Sequence, residues 1–123
     1  MCRKAQKITC KMNIIDWKQQ EIKQTLHKVD VRQLYDKTDA QAMHIVLQPG
    51  EQLKPHITPV DVFFFILEGT PSVQIGEEKQ QVAENTLVES PKDIVHCLFN
   101  HSDKQARILV VKTPKPTSNA RIL

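Results

Sequence analysis

The sequence has no hydrophobic run long enough to cross a membrane. Its longest apolar stretch, Val62 to Leu67, has six residues, whereas a transmembrane helix needs about 20. The basic start, Met1 to Lys4, is not followed by the apolar region of a secretory signal. We therefore expect a cytoplasmic protein that has no membrane partner.

Cysteine is also scarce. The three cysteines are Cys2, Cys10 and Cys97, and no two of them have CxxC spacing. An odd number at these positions argues against both a disulfide framework and a structural zinc site. Cys97 lies in an apolar run, where a free thiol usually packs as a small hydrophobic residue.

Aromatic residues number only six, and the formal net charge is a modest +3. The lysines are spread along the chain and form no basic stripe interleaved with aromatics, so the sequence predicts no nucleic-acid partner. With 123 residues, of which 40% are hydrophobic, the chain is long enough for one domain with its own core.

What the sequence does contain is a series of short β-strand patterns separated by turn residues. No alternation of strand and helix is seen, and the continuous apolar run at 62–67 is typical of a strand buried on both faces. Regularly spaced short strands predict an all-β sandwich or barrel. The predicted strands cover residues 29–35, 42–48, 62–67, 72–75, 80–82, 86–89, 94–99 and 106–112.

The ends of the chain differ in composition from its middle. We predict a flexible leader at residues 1–13, one β-domain at 14–113, and a polar, mobile tail at 114–123. Apolar residues around Trp17 partly fit a helical stripe, so the segment 14–28 is either a short N-terminal helix or an irregular arm.

Two segments, Pro49 to Gly69 and Asn85 to Asn100, stand out by the spacing of their turn residues and histidines. They resemble the two signature motifs of the cupin superfamily. The resemblance implies an antiparallel double-stranded β-helix, or jelly-roll barrel, of the small single-domain, RmlC-like type. The motif positions are filled by Gly50, His56, Thr58, Val62 and Gly69 in the first segment and by Asn85, Pro91, Asp93, His96 and Asn100 in the second.

The resemblance also implies where a metal would lie. Cupins typically hold one divalent metal with three histidines and a carboxylate. Here only His56 and His96 remain at those positions, because Thr58 and Val62 occupy the other two. The implied cofactor is a transition metal such as Fe, Mn, Ni or Zn, bound by His56 and His96; the alternative is a pocket without metal.

Strand alternation supplies the rest of the predicted pocket. Side chains two positions apart share a face, so a lumen that contains Val62 and His96 also contains their neighbours at two-residue spacing. Asp61 reaches the lumen only if a bulge shifts the register. For His44, a position at a strand edge or on the surface is the alternative to the lumen. The predicted pocket residues are Thr58, Asp61, Val62, Phe64, Leu98 and His44.

The functional hypotheses follow from this pocket. The first is a barrel that binds a small molecule through a metal; if it is an enzyme, the resemblance suggests dioxygenase- or isomerase-like chemistry. The second is a metal-free binding or sensing module without catalytic activity, and a third is a purely structural dimer. Phe63 and Phe65 are expected to pack either between the sheets or across a dimer interface. The resemblance implies a homodimer, because small cupins commonly dimerise by their sheets, and the apolar strand at 62–67 agrees with this.

Overall fold

Strands make up nearly all the regular structure of the computed structural model, which describes residues 11–123. They form two antiparallel five-stranded sheets, ordered β1-β2-β9-β4-β7 and β10-β3-β8-β5-β6. The all-β prediction is confirmed. The strands are β1 Asp30–Lys37, β2 Ala40–Leu47, β3 His56–Ile57, β4 Asp61–Glu68, β5 Ser72–Ile75, β6 Glu78–Gln81, β7 Leu87–Ser90, β8 Val95–Phe99, β9 Ala106–Thr113 and β10 Arg121–Ile122.

The hydrophobic core lies between the two sheets. Along β4, Val62, Phe64 and Ile66 are buried, while the residues between them are only half-buried. The neighbouring β9 shows the same alternation, with Ile108 and Val110 turned inward. This two-residue period determines which side chains can face the interior of the barrel.

The N-terminal segment is an irregular arm with one short turn of helix. A 3-10 turn spans Trp17–Gln19, and the Asp16 carboxylate caps it by accepting from the Lys18 N–H. Of the two predicted alternatives, the arm is the one observed. Residues 1–10, which include Cys2 and Cys10, lie outside the described part of the chain, and within residues 11–123 no helix is long and apolar enough to span a membrane.

The C-terminal segment is held more closely than the predicted mobile tail. Arg121–Ile122 form β10, which pairs with β3, and the Leu123 N–H donates to the Pro55 carbonyl at 3.0 Å. Two-residue strands have no periodicity from which a sequence could predict them. The consequence is that β3 has a neighbour on each side.

Turns that the cupin motifs usually build with glycine are built here with other residues. Asn85 and Asp93 have φ values of 65° and 64°. Asn and Asp are the non-glycine residues that best tolerate the left-handed conformation. Both replacements therefore leave the path of the chain intact.

Candidate functional site

Two histidines, His56 of β3 and His96 of β8, meet inside the barrel. The antiparallel pairing of β3 with β8 sets them directly opposite each other, and both side chains are buried. Their Nε2 atoms are 3.0 Å apart although the residues are 40 positions apart along the chain. Cross-strand partners on one sheet face lie close enough for their side chains to touch, so strand pairing explains the convergence.

Hydrogen bonds around the two rings run in one direction. His56 Nδ1 lies 2.7 Å from the Lys54 carbonyl oxygen; a carbonyl only accepts, so Nδ1 carries the proton and Nε2 of the neutral ring accepts. His96 Nε2 therefore donates to His56 Nε2, with the Thr58 hydroxyl 3.2 Å away. His96 Nδ1 then accepts from the Ser90 hydroxyl at 2.7 Å. All four ring nitrogens are engaged within the protein.

Burial keeps these rings neutral. Desolvation is the main cause that lowers the pKa of His96 to about 3, and the nearby His56 and Lys112 lower it further. Desolvation also lowers the pKa of His56 and outweighs its hydrogen bond to Lys54. A third histidine, His27, lies against His56 with ring centroids 4.8 Å apart, and burial with the nearby His56 and Lys54 lowers its pKa to about 4.

A cavity of about 110 Å³ opens beside the histidines. Seven apolar side chains form most of its wall, and the polar residues of the wall are Thr25, His27, His56, Thr58, His96 and Lys112. Larger surface clefts, of about 320 Å³ beside β5–β7 and about 480 Å³ beside the N-terminal arm, contain no histidine. An apolar wall with a few convergent polar groups is the usual composition of a small-molecule site.

Three of the residues predicted for the pocket lie in the cavity wall beside His56 and His96: Thr58, Val62 and Phe64. All four positions that the resemblance assigns to metal ligands, His56, Thr58, Val62 and His96, thus surround one space. Leu98 faces the interior but is fully buried in the core, and its side chain is not part of the cavity wall.

Asp61 and His44, also predicted as pocket residues, point away from the cavity. The register of β4 with β9 is continuous from Asp61 to Ile66, so no bulge turns Asp61 inward. Its exposed carboxylate instead accepts from the Lys92 N–H at 2.9 Å.

His44 lies on the outer face of β2, buried under the N-terminal arm. Its ring stacks on Trp17 with centroids 4.1 Å apart, and its Nε2 accepts from Arg107 Nε at 3.1 Å. Met43 and Ile45, its neighbours on β2, are the residues that line the cavity. His44 therefore lies outside the lumen, but it is buried on an inner strand of its sheet rather than at a strand edge or on the surface.

Sequence reasoning missed four polar residues of the site: Thr25, His27, Ser90 and Lys112. Lys112 could have been found, because it follows Ile108 and Val110 at two-residue spacing and shares their inward face. Ser90 and His27 carried no such signal. Ser90 ends a short, mostly exposed strand, and His27 belongs to the irregular arm.

The donor set does not fit a resident metal. Two imidazoles are present, but the third and fourth ligand positions hold a hydroxyl and an isopropyl group, and no cluster of three His, Cys, Asp or Glu side chains suited to a metal occurs in residues 11–123. His27 is close, yet its Nδ1 accepts from the Lys54 N–H at 2.9 Å. A lysine in the same wall would also repel a cation.

Comparison with known proteins identifies the family. The cupin domain model matches residues 43–112, more than half of the chain. An uncharacterized protein of Streptomyces coelicolor is 34% identical over 61 residues, which are 50% of this chain and 55% of that protein. The match therefore spans about half the length of this curated relative.

Solved structures agree with this identification. A protein of Thermus thermophilus superposes with a TM-score of 0.74 at 27% identity, over 85% of this chain and 100% of that chain. A Klebsiella pneumoniae protein with a double-stranded β-helix domain gives 0.77 at 11% identity, over 91% and 97%; at this identity the likeness shows the fold alone. The jelly-roll prediction is confirmed, and the chain belongs to the cupin domain family.

Proposed function

We propose that this cupin binds a small molecule in the cavity beside His56 and His96, as a binding or sensing module without a resident metal. The observation that carries the proposal is the closed hydrogen-bond chain from Ser90 through both rings to Lys54. It satisfies every ring nitrogen with protein groups, so the two imidazoles are held as fixed, neutral parts of the wall.

Other polar groups of the wall remain free to contact a ligand. His27 accepts at Nδ1, so the neutral ring carries its proton on Nε2, which has no hydrogen-bond partner among the described residues. Among residues 11–123, His96 is the one hydrogen-bond partner of the Thr58 hydroxyl. Such groups orient a ligand, while the apolar side chains around them provide contact area.

The size of the cavity restricts the ligand. Sites for drug-sized molecules measure about 300–1,000 Å³, and this cavity has about 110 Å³. Its rim includes the half-buried residues Thr25, His27 and Lys112, and its inner end is formed by buried residues such as His96 and Phe64. We therefore infer a compact ligand of a few heavy atoms that enters past the N-terminal arm.

Metal analysis tests the metal-free part of the proposal. Protein purified without chelator is expected to contain metal well below one equivalent, and added Mn, Fe, Ni or Zn is expected to leave its melting temperature unchanged. Stoichiometric metal that is lost in both His56→Ala and His96→Ala would contradict the proposal and restore the metal site implied by the resemblance.

A cavity-filling substitution tests where a small molecule binds. Fragments that shift the NMR resonances of His56 and His96 are expected to lose affinity in Val62→Phe, because the larger ring occupies the cavity. The matched control is Val111→Phe, the same exchange on the outward-facing part of β9. Equal binding in Val62→Phe and in the wild type would exclude the cavity as the site.

The homodimer also remains a proposal. Phe63 and Phe65 of β4 are half-buried on the outer sheet face, where they pair with Val111 and Leu109 of β9. Apolar cross-strand pairs on an outer face are suited to contact with a second copy. Sedimentation equilibrium tests this: the wild type should be dimeric and Phe65→Glu monomeric, whereas a monomeric wild type would refute it.

A further inference from the structure

Lys112 is a charged residue in the wall of the cavity. It lies on β9 opposite Val62 of β4, and both side chains border the same space. Ile108 and Val110, which precede it at two-residue spacing, are buried in the core. The lysine therefore projects inward from a strand whose other inward residues are apolar.

No carboxylate neutralises this lysine in the described structure. The salt bridges among residues 11–123 involve Arg32, Arg107 and Lys115, each with an acidic partner, and Lys112 forms none. The cavity wall contains no Asp or Glu. Residues 1–10 also contain no acidic residue, so that part of the chain has no carboxylate to offer.

The surroundings make the isolated positive charge unfavourable. Burial is the main cause that lowers the pKa of Lys112, and the nearby Lys23 lowers it further. An ammonium group removed from water without a partner is costly unless an opposite charge approaches it. A bound anion would supply that charge, and the neutral histidines around it would not oppose its binding.

We propose that the ligand of this cavity is a small organic carboxylate, which pairs with Lys112 and accepts a hydrogen bond from His27 Nε2. The apolar part of the ligand packs against Val62 and Phe64. This inference rests on the proposed small-molecule function and specifies the ligand class. The size of the cavity favours a short aliphatic acid.

Matched pairs of carboxylates and amides test the charge requirement. Acetate, propionate and butyrate are each titrated into the protein, and acetamide, propionamide and butyramide are titrated separately. The NMR shifts of the cavity histidines report the affinity of each compound. Each acid is expected to bind at least tenfold more tightly than its amide. Within the acid series, each added methylene that fits is expected to raise affinity about fourfold, which corresponds to about 0.8 kcal/mol of apolar burial.

Substitutions at Lys112 separate charge from shape. Lys112→Met keeps a long side chain without charge and is expected to lower butyrate affinity at least tenfold, which removes the preference for acid over amide. Lys112→Arg keeps the charge and should retain part of that preference. Lys115→Met, the matched control, removes a lysine that pairs with Asp36 outside the cavity and should bind butyrate like the wild type.

A measurement on the wild-type protein tests the inference even if the Lys112 variants fail to fold. Butyrate is expected to slow reductive methylation of Lys112, followed by peptide mass spectrometry, while leaving Lys115 unaffected. Equal methylation of Lys112 with and without butyrate, or equal binding of butyrate by wild type and Lys112→Met, would overturn the inference.

The outcomes distinguish the two proposals. If butyramide and butyrate shift the cavity histidines equally, the small-molecule function stands and the carboxylate inference fails. If neither series shifts them and other fragments do, the carboxylate inference again fails alone. If no fragment binds in the cavity, both proposals fail together.

Discussion

Acidification should destabilise this barrel, because its interior histidines are neutral in the folded state. The perturbation is a change from about pH 7.5 to about pH 4.5, a range that spans the ordinary histidine pKa of about 6.5. His96 is the most informative group. It is 2% exposed, and burial together with His56 and Lys112 lowers its pKa to about 3.

The sign of the effect follows from proton binding. In the unfolded chain the His96 imidazole binds a proton below about pH 6.5, whereas in the folded chain it does so only near pH 3. The unfolded state therefore binds more protons throughout this window, and stability is lost as the pH falls. For His96 alone, the free energy of unfolding should decrease by about 2–3 kcal/mol between the two conditions.

His27 and His44 add to the effect in the same direction. Burial is the main cause that lowers the pKa of each to about 4. For His44 the neighbouring Arg107 acts in the same sense, and the carboxylates of Asp30 and Glu68 act against it.

Urea unfolding at the two pH values, followed by circular dichroism, measures the difference. In His96→Gln, an amide that cannot titrate replaces the ring, so the decrease between the two conditions should be smaller by about 2–3 kcal/mol. The matched control, His101→Gln, removes an exposed histidine and should leave the decrease as it is in the wild type. An NMR titration of the wild-type histidines gives the pKa of His96 directly, even if His96→Gln is too unstable to study. Titration of His96 near pH 6.5, or an equal loss of stability in wild type and His96→Gln, would show that burial of this ring does not make the fold sensitive to acid.

Two further predictions concern the scaffold, each with urea unfolding as the assay. Gly69→Ala should lower the free energy of unfolding by more than about 2 kcal/mol, since φ is +82° and a Cβ would lie 2.6 Å from the Gln105 carbonyl oxygen. Gly50→Ala has a similar φ of +85° but open space around it, so the loss should be only about 1–2 kcal/mol. Equal losses in the two variants would contradict a role for the close contact at Gly69. Asn100→Ala should lower the free energy of unfolding by about 2–4 kcal/mol, because the buried amide donates to the Leu47 carbonyl at 2.8 Å and to the Lys104 carbonyl at 2.7 Å. A loss below about 0.5 kcal/mol, the range of ordinary surface substitutions, would show that these hydrogen bonds contribute little.

Much of the fold could be predicted because alternation in the sequence matches alternation in burial. β5 was predicted with its observed ends, both ends of β4 were predicted to within one residue, and β9 was predicted with its observed start and one residue short of its end. β3 and β10 were missed because two residues cannot display a period. The N-terminal arm stayed ambiguous because Trp17 packs on the outer sheet face through one 3-10 turn, a contact that depends on tertiary structure.

The candidate site was predicted where motif spacing or strand alternation carried information, and alternation from Val62 correctly placed Phe64 in the cavity wall. His56, Thr58, Val62 and His96 followed from their places in the two segments, and all four border the cavity. Asp61 was wrongly assigned to it because the inward register required a bulge that β4 does not have at that point.

The remaining polar residues at or behind the cavity wall were harder to predict. His27 reaches the cavity from an arm without regular structure, and Ser90 contacts His96 through a side-chain hydrogen bond. Neither relationship is visible from local sequence. Lys112 was overlooked because a lysine on the inward face of a strand contradicts the usual preference of that residue for water.

The pairing of β10 with β3 has a practical consequence for work on this protein. The strand that carries His56 is only two residues long, and one of its two neighbours is the last strand of the chain. Removal of residues 121–123 would take away this support of the His56 imidazole, although none of the three lines the cavity. Protein prepared for binding studies should therefore retain all of β10.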